Sequence, residues 1–282
     1  IISLSHCNVV FLSTSAFKLD HMQLIYPLTG MYALPEQTII VTGDKSPSEM
    51  LSLRIGTTIS SPFFLQQALV NEEGSDGMIR TTAKDFLAHS LSRSKANVIP
   101  YIIAQKATPP LTEAGSEDDV YELDISRAMA FDNENYCIIE NEYAEILALY
   151  HSHDVTGTLN FASNDDGTIE FKILKKSVKI KAHGRKVVAE IKLSADLADV
   201  QKIPTDEVVN TDNAIVKRYA AALAEDIEKR LFELYELSVS KNIDFLSLQA
   251  KAYQSVGRSL KEDCLATLSF EPKVSITVKE AG

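Results

Sequence analysis

Two histidine pairings are the groups in this chain best placed to do chemistry. His6 and Cys7 are adjacent within Ile1–Phe17, IISLSHCNVVFLSTSAF. A cysteine nucleophile needs a base within hydrogen-bond reach and surroundings that lower its thiol pKa. Neighbouring residues of a strand point to opposite faces, so a strand separates these two side chains. The pair therefore reads as the rim of a buried strand over Asn8–Ser13. His151 and His153 flank Ser152. On a strand, that spacing puts both imidazoles on one side, as a metal ligand pair requires. No third or fourth ligand accompanies them and Gly157 follows closely, so an exposed polar turn is expected and no zinc site.

A third feature is cationic. Lys175, Lys179 and Lys181 share one strand face, with Arg185 and Lys186 just beyond. Such a face can meet phospholipid or an acidic partner. Lysine also guards strand edges, and Ser177 on the same face comes with no aromatic anchor, so a solvated strand face is the expectation. There is no Gly-rich phosphate loop and no GxSxG, HExxH, CxxC or kinase signature. No catalytic, cofactor-binding or metal residue is assigned, and the chain is read as a non-enzyme.

The bulk composition bounds the remaining classes. The chain has 282 residues, 45% hydrophobic and 24% charged, enough to bury a substantial core without tryptophan. A net charge of -11 argues against a general nucleic-acid binder, which relies on Lys and Arg to neutralise phosphates. No stretch approaches the ~18 apolar residues of a membrane-spanning helix. Cys7, Cys137 and Cys264 are far apart and odd in number, which is no disulfide framework. The first residue is Ile1 rather than Met, and an N-terminal portion is expected to precede it.

The elements that would position these groups follow from periodicity. Asn8–Ser13 is a strand and Ser15–Tyr26 a helix; Gln37–Thr42 is a strand, followed by a turn at Gly43-Asp44 and a helix capped by Ser46 with Pro47 in its first turn. Helices are expected near Ser61–Asn71 and Thr81–Ser92, and a strand at Asn97–Lys106. This alternation implies an α/β layer with crossovers. Lys106–Val120, KATPPLTEAGSEDDV, is the linker candidate. Beyond it come strands at Val120–Phe131 and Tyr136–Glu140 and a helix at Glu142–Tyr150. An alternating sheet then uses Ile169, Phe171, Ile173, then Val178, Ile180, Ala182, then Ala189–Leu197. Asn213–Lys241 is the longest helix, with an apolar stripe from Val216 to Leu234 and a face including Glu225, Glu228, Lys229 and Glu236 left to solvent. Asp244 caps a second helix, Phe245–Val256, and Lys273–Val278 is a last strand. The class is α+β: a mixed α/β first domain at 1–107, a linker at 108–119, and a second domain at 120–282 with an antiparallel sheet and helices on one face.

Four stretches together resemble a known family. They are LSHCNVVFLSTSAFKLD, IIVTGDKSPSEMLSL, SRAMAFDNENYCIIENEYAEILAL and SVSKNIDFLSLQAKAYQ, with a weaker closing VSITVKEAG. Their order and spacing are similar to the Ger(x)C, or GerAC, family: the C subunits of bacterial spore germinant receptors. The resemblance implies a lipoprotein on the extracytoplasmic face of the spore inner membrane, held by an acylated cysteine outside this chain. Cys7 lies inside a fold element and is not that residue. It also implies partnership with membrane-embedded A and B subunits, with no catalytic residues and no cofactors. An extracytoplasmic solute-binding lipoprotein is the alternative.

Overall fold

The computed structural model describes residues 4–19, 21–55, 59–60, 65, 67–69, 78–107, 120–151, 157–163, 167–201, 212–257 and 264–278. The expected linker 108–119, His153 and most of the expected helix at 61–71 lie outside these residues.

The first sheet has seven strands. β1 (Val9–Phe11) pairs parallel with β2 (Ile39–Gly43), and β2 parallel with β5 (Asn97–Lys106). Two short strands, β3 (Arg54–Ile55) and β4 (Ile59–Ser60), close one edge. The parallel neighbours require crossovers, and these carry α1 (His21–Met31), α2 (Pro47–Ser52) and α3 (Ala83–Leu91). The helix expected at Ser15–Tyr26 is instead a 3-10 turn at Thr14–Lys18 followed by α1. The breakpoint falls at Leu19, in extended backbone. α2 starts as its sequence predicts: Ser46 accepts from the Glu49 amide, and Glu49 reaches back to the Ser46 amide at 2.9 Å. Gly43 is more than a turn residue, because a Cβ there would meet the Ile102 carbonyl oxygen at 2.5 Å. Only glycine lets β2 close on β5 at that point.

Strand pairing runs across the expected linker. β6 (Tyr121–Phe131) lies antiparallel to β5 from Asn97↔Phe131 to Lys106↔Tyr121, and β7 (Tyr136–Ile139) pairs with β6. Residues 121–139, expected in the second domain, are thus hydrogen-bonded into the first sheet. Alternation divides their side chains. Ile99, Tyr101, Met129 and Phe131 face α1 and α3, while Val98, Ala128 and Ala130 face the other way. These small residues meet α4 (Asn141–His151), and the core continues unbroken through α4 into the second half.

The second sheet has strand order β11-β10-β9-β8. β8 (Gly157–Ser163), β9 (Gly167–His183) and β10 (Lys186–Gln201) form an antiparallel meander. Gly184, at φ +66°, takes the first central position of the β9–β10 turn, the conformation a type II′ hairpin demands. The phase change seen between Ile173 and Val178 is a bulge. Ser194 pairs with Lys175 and Ala195 with Ile173, so Leu174 is the extra residue. It keeps Ile169, Phe171 and Ile173 on the same side as Lys176, Val178 and Ile180. The sheet is not wholly antiparallel as expected: β11 (Ser269–Val278) runs parallel to β10. The reason is the connection, since α5 (Asn213–Lys241) and α6 (Leu248–Val256) carry the chain back before β11 begins. Both helices pack on the inner face, where Leu223, Ile227 and Leu231 of α5 join Phe171, Ile191 and Phe270 in one buried cluster.

Candidate functional site

A buried, tightly hydrogen-bonded polar site lies where α5 turns into α6. Asn242 ends α5 in the left-handed conformation at φ 55°, and Ser247 precedes α6 at φ 57°. Between them Ile243, Asp244, Phe245 and Leu246 are all buried. Asp244 is 2% exposed. Its carboxylate accepts from the Leu248 and Gln249 amides, both at 2.8 Å, and from the Ser94 hydroxyl. It therefore caps α6, as its residue type predicts, but the helix begins three residues later than the expected Phe245, because the chain first makes the turn between the two left-handed residues.

Other elements converge on the same loop. The Tyr150 hydroxyl donates to the Leu246 carbonyl at 3.0 Å, and His151 Nε2 to the Phe245 carbonyl at 2.7 Å. A carbonyl only accepts, so the proton sits on Nε2. Lys176 Nζ, on β9 just past the bulge, donates to the Leu149 carbonyl at 2.6 Å, near the C-terminal end of α4. From the first half, the His89 ring stands 6.3 Å from that of His151, and Arg93 lies over Tyr253 at 4.7 Å. Burial sets the electrostatics. It pushes the Asp244 carboxyl up to about 6, against the pull of its hydrogen bonds, and the His151 imidazole down to about 4, with His89 and Lys176 adding to the decrease. Burial lowers His89 as well, opposed by Asp85, and raises Tyr150, with the Asp244 charge adding.

No protein-family model matches the chain, and no curated protein matches it in sequence. A solved structure does match. The crystal structure titled for the GerBC protein superposes with a TM-score of 0.66 at 12% identity, covering 97% of this chain and 79% of that one. The fold is that of GerBC. Coverage of 97% leaves too few residues outside the match for either sheet to be an addition to the GerBC architecture. At 12% identity the likeness is one of fold, so each side chain's role rests on its contacts in this chain.

Within the GerBC fold, the residues singled out by sequence fall in different places. His6 and Cys7 occupy a turn ahead of β1. His6 is exposed, whereas Cys7 is half-buried and its thiol donates to the Val9 carbonyl at 3.2 Å. Among the described residues no hydrogen bond joins the two side chains. His151 is not on a strand but is the last residue of α4, with its Nε2 committed to Phe245. Among the described residues no three His, Cys, Asp or Glu gather as a metal cluster, and all three cysteines are free thiols. The Cys137 thiol is pushed up to about 11 by burial, far from a reactive thiolate. Glu228, expected among the free charges of α5, is instead taken: it accepts from the Val274 amide of β11 at 2.6 Å. It thereby satisfies a donor on the sheet's edge strand.

Sequence reasoning did not reach Ser94, Tyr150 or His89. A serine in the polar run His89–Lys95 carries no signal that its partner is 150 positions away. Asp244 was legible, as the residue expected to cap the second helix. At the junction Ser94, Tyr150, His151, Lys176 and Asp244 all find hydrogen-bond partners inside the protein. That arrangement ties the two halves of the chain to one another.

Proposed function

We propose that this chain is the C subunit of a spore nutrient germinant receptor. In this reading it is a non-catalytic lipoprotein on the extracytoplasmic face of the spore inner membrane, acting with membrane-embedded A and B subunits to trigger germination. The supporting observation is the GerBC fold over 97% of the chain, which coincides with the ordered Ger(x)C-like stretches of the sequence. Those stretches fall at joints of the fold: the entry to β1, the β2–Gly43–α2 corner, the β6–β7 hairpin into α4, and the α5–Asp244–α6 turn. No described helix is long and apolar enough to cross a membrane. Attachment in this reading comes through the acylated cysteine.

The alternative, a solute-binding lipoprotein, calls for a pocket with converging polar groups. A groove of about 530 Å³ lies between α5 and β11, lined by Ala220, Ala224, Val274 and Ile276 with Lys217 and Glu228. Its Glu228 is already bound to the Val274 amide, which favours the receptor-subunit reading. The test is made in the spore-former. A tagged full-length protein solubilised from spore inner membranes should co-purify with two multi-spanning proteins encoded beside it. Alanine at the lipidated cysteine should impair nutrient germination. Normal germination from that variant at normal protein level would overturn the reading.

A further inference from the structure

The second sheet has one face under helices and one in water, and the wet face is not the scattered solubilising surface that its sequence predicts. Register places Lys175, Lys179 and Lys181 of β9 beside Lys186 and Lys192 of β10 and Lys273 of β11, all exposed. Two carboxylates lie among them, and beyond Lys175 the same face continues with exposed Lys172 opposite Asp196 and with Glu170. Glu190 is flanked by Lys179 and Lys273 and accepts from Lys181 Nζ at 2.9 and 3.0 Å. Glu271 holds Lys186 and Lys273. Among the described residues, Lys175, Lys179 and Lys192 enter no ion pair. Lys175 and Lys179 stand about 13 Å apart along β9, with Lys192 one strand over and opposite the residue midway between them. Exposed Arg185 at the hairpin turn extends the cationic zone. All this sits on a chain of net charge -11, so the rest of the molecule is more acidic than that total.

Three features decide what such a face fits. It is a broad sheet surface whose cations are spread over three strands. Its strand cations are lysines, hydrated point charges, rather than arginine forks built for bidentate recognition of one carboxylate or phosphate. Its described strand residues include no Phe, Tyr or Trp, and protein interfaces draw their affinity from buried aromatic and arginine anchors. Spread, shallow, screenable attraction suits a surface made of many anionic headgroups. We propose that this face of the second sheet docks on a bilayer carrying anionic phospholipid, with the acidic remainder turned away from it. The proposal does not depend on the receptor reading.

The probe is co-sedimentation of the purified chain with vesicles of phosphatidylcholine alone or with about one-third phosphatidylglycerol, at low salt and at several-fold higher salt. Binding is expected only to the phosphatidylglycerol vesicles, and it should be lost at the higher salt. Lys175→Glu/Lys179→Glu/Lys192→Glu should weaken it roughly tenfold or more, and the corresponding glutamine variant less, because ~1 kcal/mol attends each lysine near such a surface. Lys84→Glu/Lys229→Glu/Lys241→Glu changes the net charge equally on other surfaces and should leave binding near wild type. Circular dichroism confirms that each variant is folded. If wild type ignores the vesicles but binds poly-glutamate, the face meets an acidic polypeptide and the proposal fails. It fails equally if both triple variants lose binding alike, or if neither does.

Discussion

Ser94 donates its hydroxyl to the Asp244 carboxylate across 150 positions of sequence, joining the segment after α3 to the turn between α5 and α6. Asp244 also serves two amides of α6, so one buried carboxylate both starts a helix and binds the halves together. Removing it strands three donors at once. A buried polar group left without its partner costs about 1–3 kcal/mol, so Asp244→Ala should destabilise the protein by roughly 3 kcal/mol or more. Ser94→Ala removes one donor and should cost roughly 1–2 kcal/mol. Urea denaturation midpoints measure both, and a loss under about 1 kcal/mol in Asp244→Ala would deny the carboxylate this role.

The same junction predicts opposite pH responses from neighbouring residues. Asp244 holds its proton more tightly when folded, with its pKa raised to about 6. The stability it lends is full below its ordinary carboxylate value and is lost as pH rises through 6. His151 is the reverse, lowered to about 4. Its contribution is full above the ordinary imidazole value and is lost as pH falls towards 4. Between about pH 4 and pH 6 the two oppose each other in the wild type. Relative to wild type, Asp244→Asn should therefore gain stability as pH rises through this window, and His151→Gln should lose it. The slopes are bounded by about 1.4 kcal/mol per pH unit for each group. Parallel slopes in the two variants would contradict the assignment.

What the sequence made legible was local. The limits of α5 and β5 could be read directly, because a 3.6-residue stripe ending at Asn242 and a dense apolar run at Asn97–Lys106 are complete within themselves. The bulge at Leu174 showed as a slip in alternation. β8 escaped because Leu159 and Phe161 are its only large apolar residues among Thr158, Asn160 and Ser163. Partner choice was not legible. Nothing in Ser269–Val278 states that it runs parallel to β10, and nothing in Tyr121–Phe131 states that it completes the first sheet. The cationic face was half legible: β9 displayed its lysines, but the register that adds Lys192 and Lys273 beside them is a property of three strands.

Helix α5 separates three kinds of residue on one element. Glu225, Lys229 and Glu236 are exposed, so exchanging their charges should move stability by less than about 0.5 kcal/mol. Glu228 holds the Val274 amide, so Glu228→Ala should cost roughly 1–2 kcal/mol. Leu223 and Leu231 are buried against the second sheet. Aspartate at either should abolish cooperative folding, because an unpaired charge there has no partner and no water. Thermal melts followed by circular dichroism rank all three groups, and a neutral Glu228→Ala would remove the edge-capping role.

The last prediction concerns the stretch 108–119. Its prolines, glycine and acids give it little to bury, so it should be the earliest site of proteolysis. A glutamate-specific protease should cut first at Glu113 or Glu117. If the two halves were separate bodies, the cleaved fragments would part. In this fold β5 and β6, on either side of the cut, pair along nearly their whole length, and Ala128 and Ala130 lie in the same buried cluster as α4 and the second sheet. Breaking one peptide bond between them leaves those contacts in place. The nicked protein should therefore elute as a single species in native size-exclusion chromatography and resolve into two fragments only in denaturant. Separation under native conditions would show that the sheet does not continue across the cut.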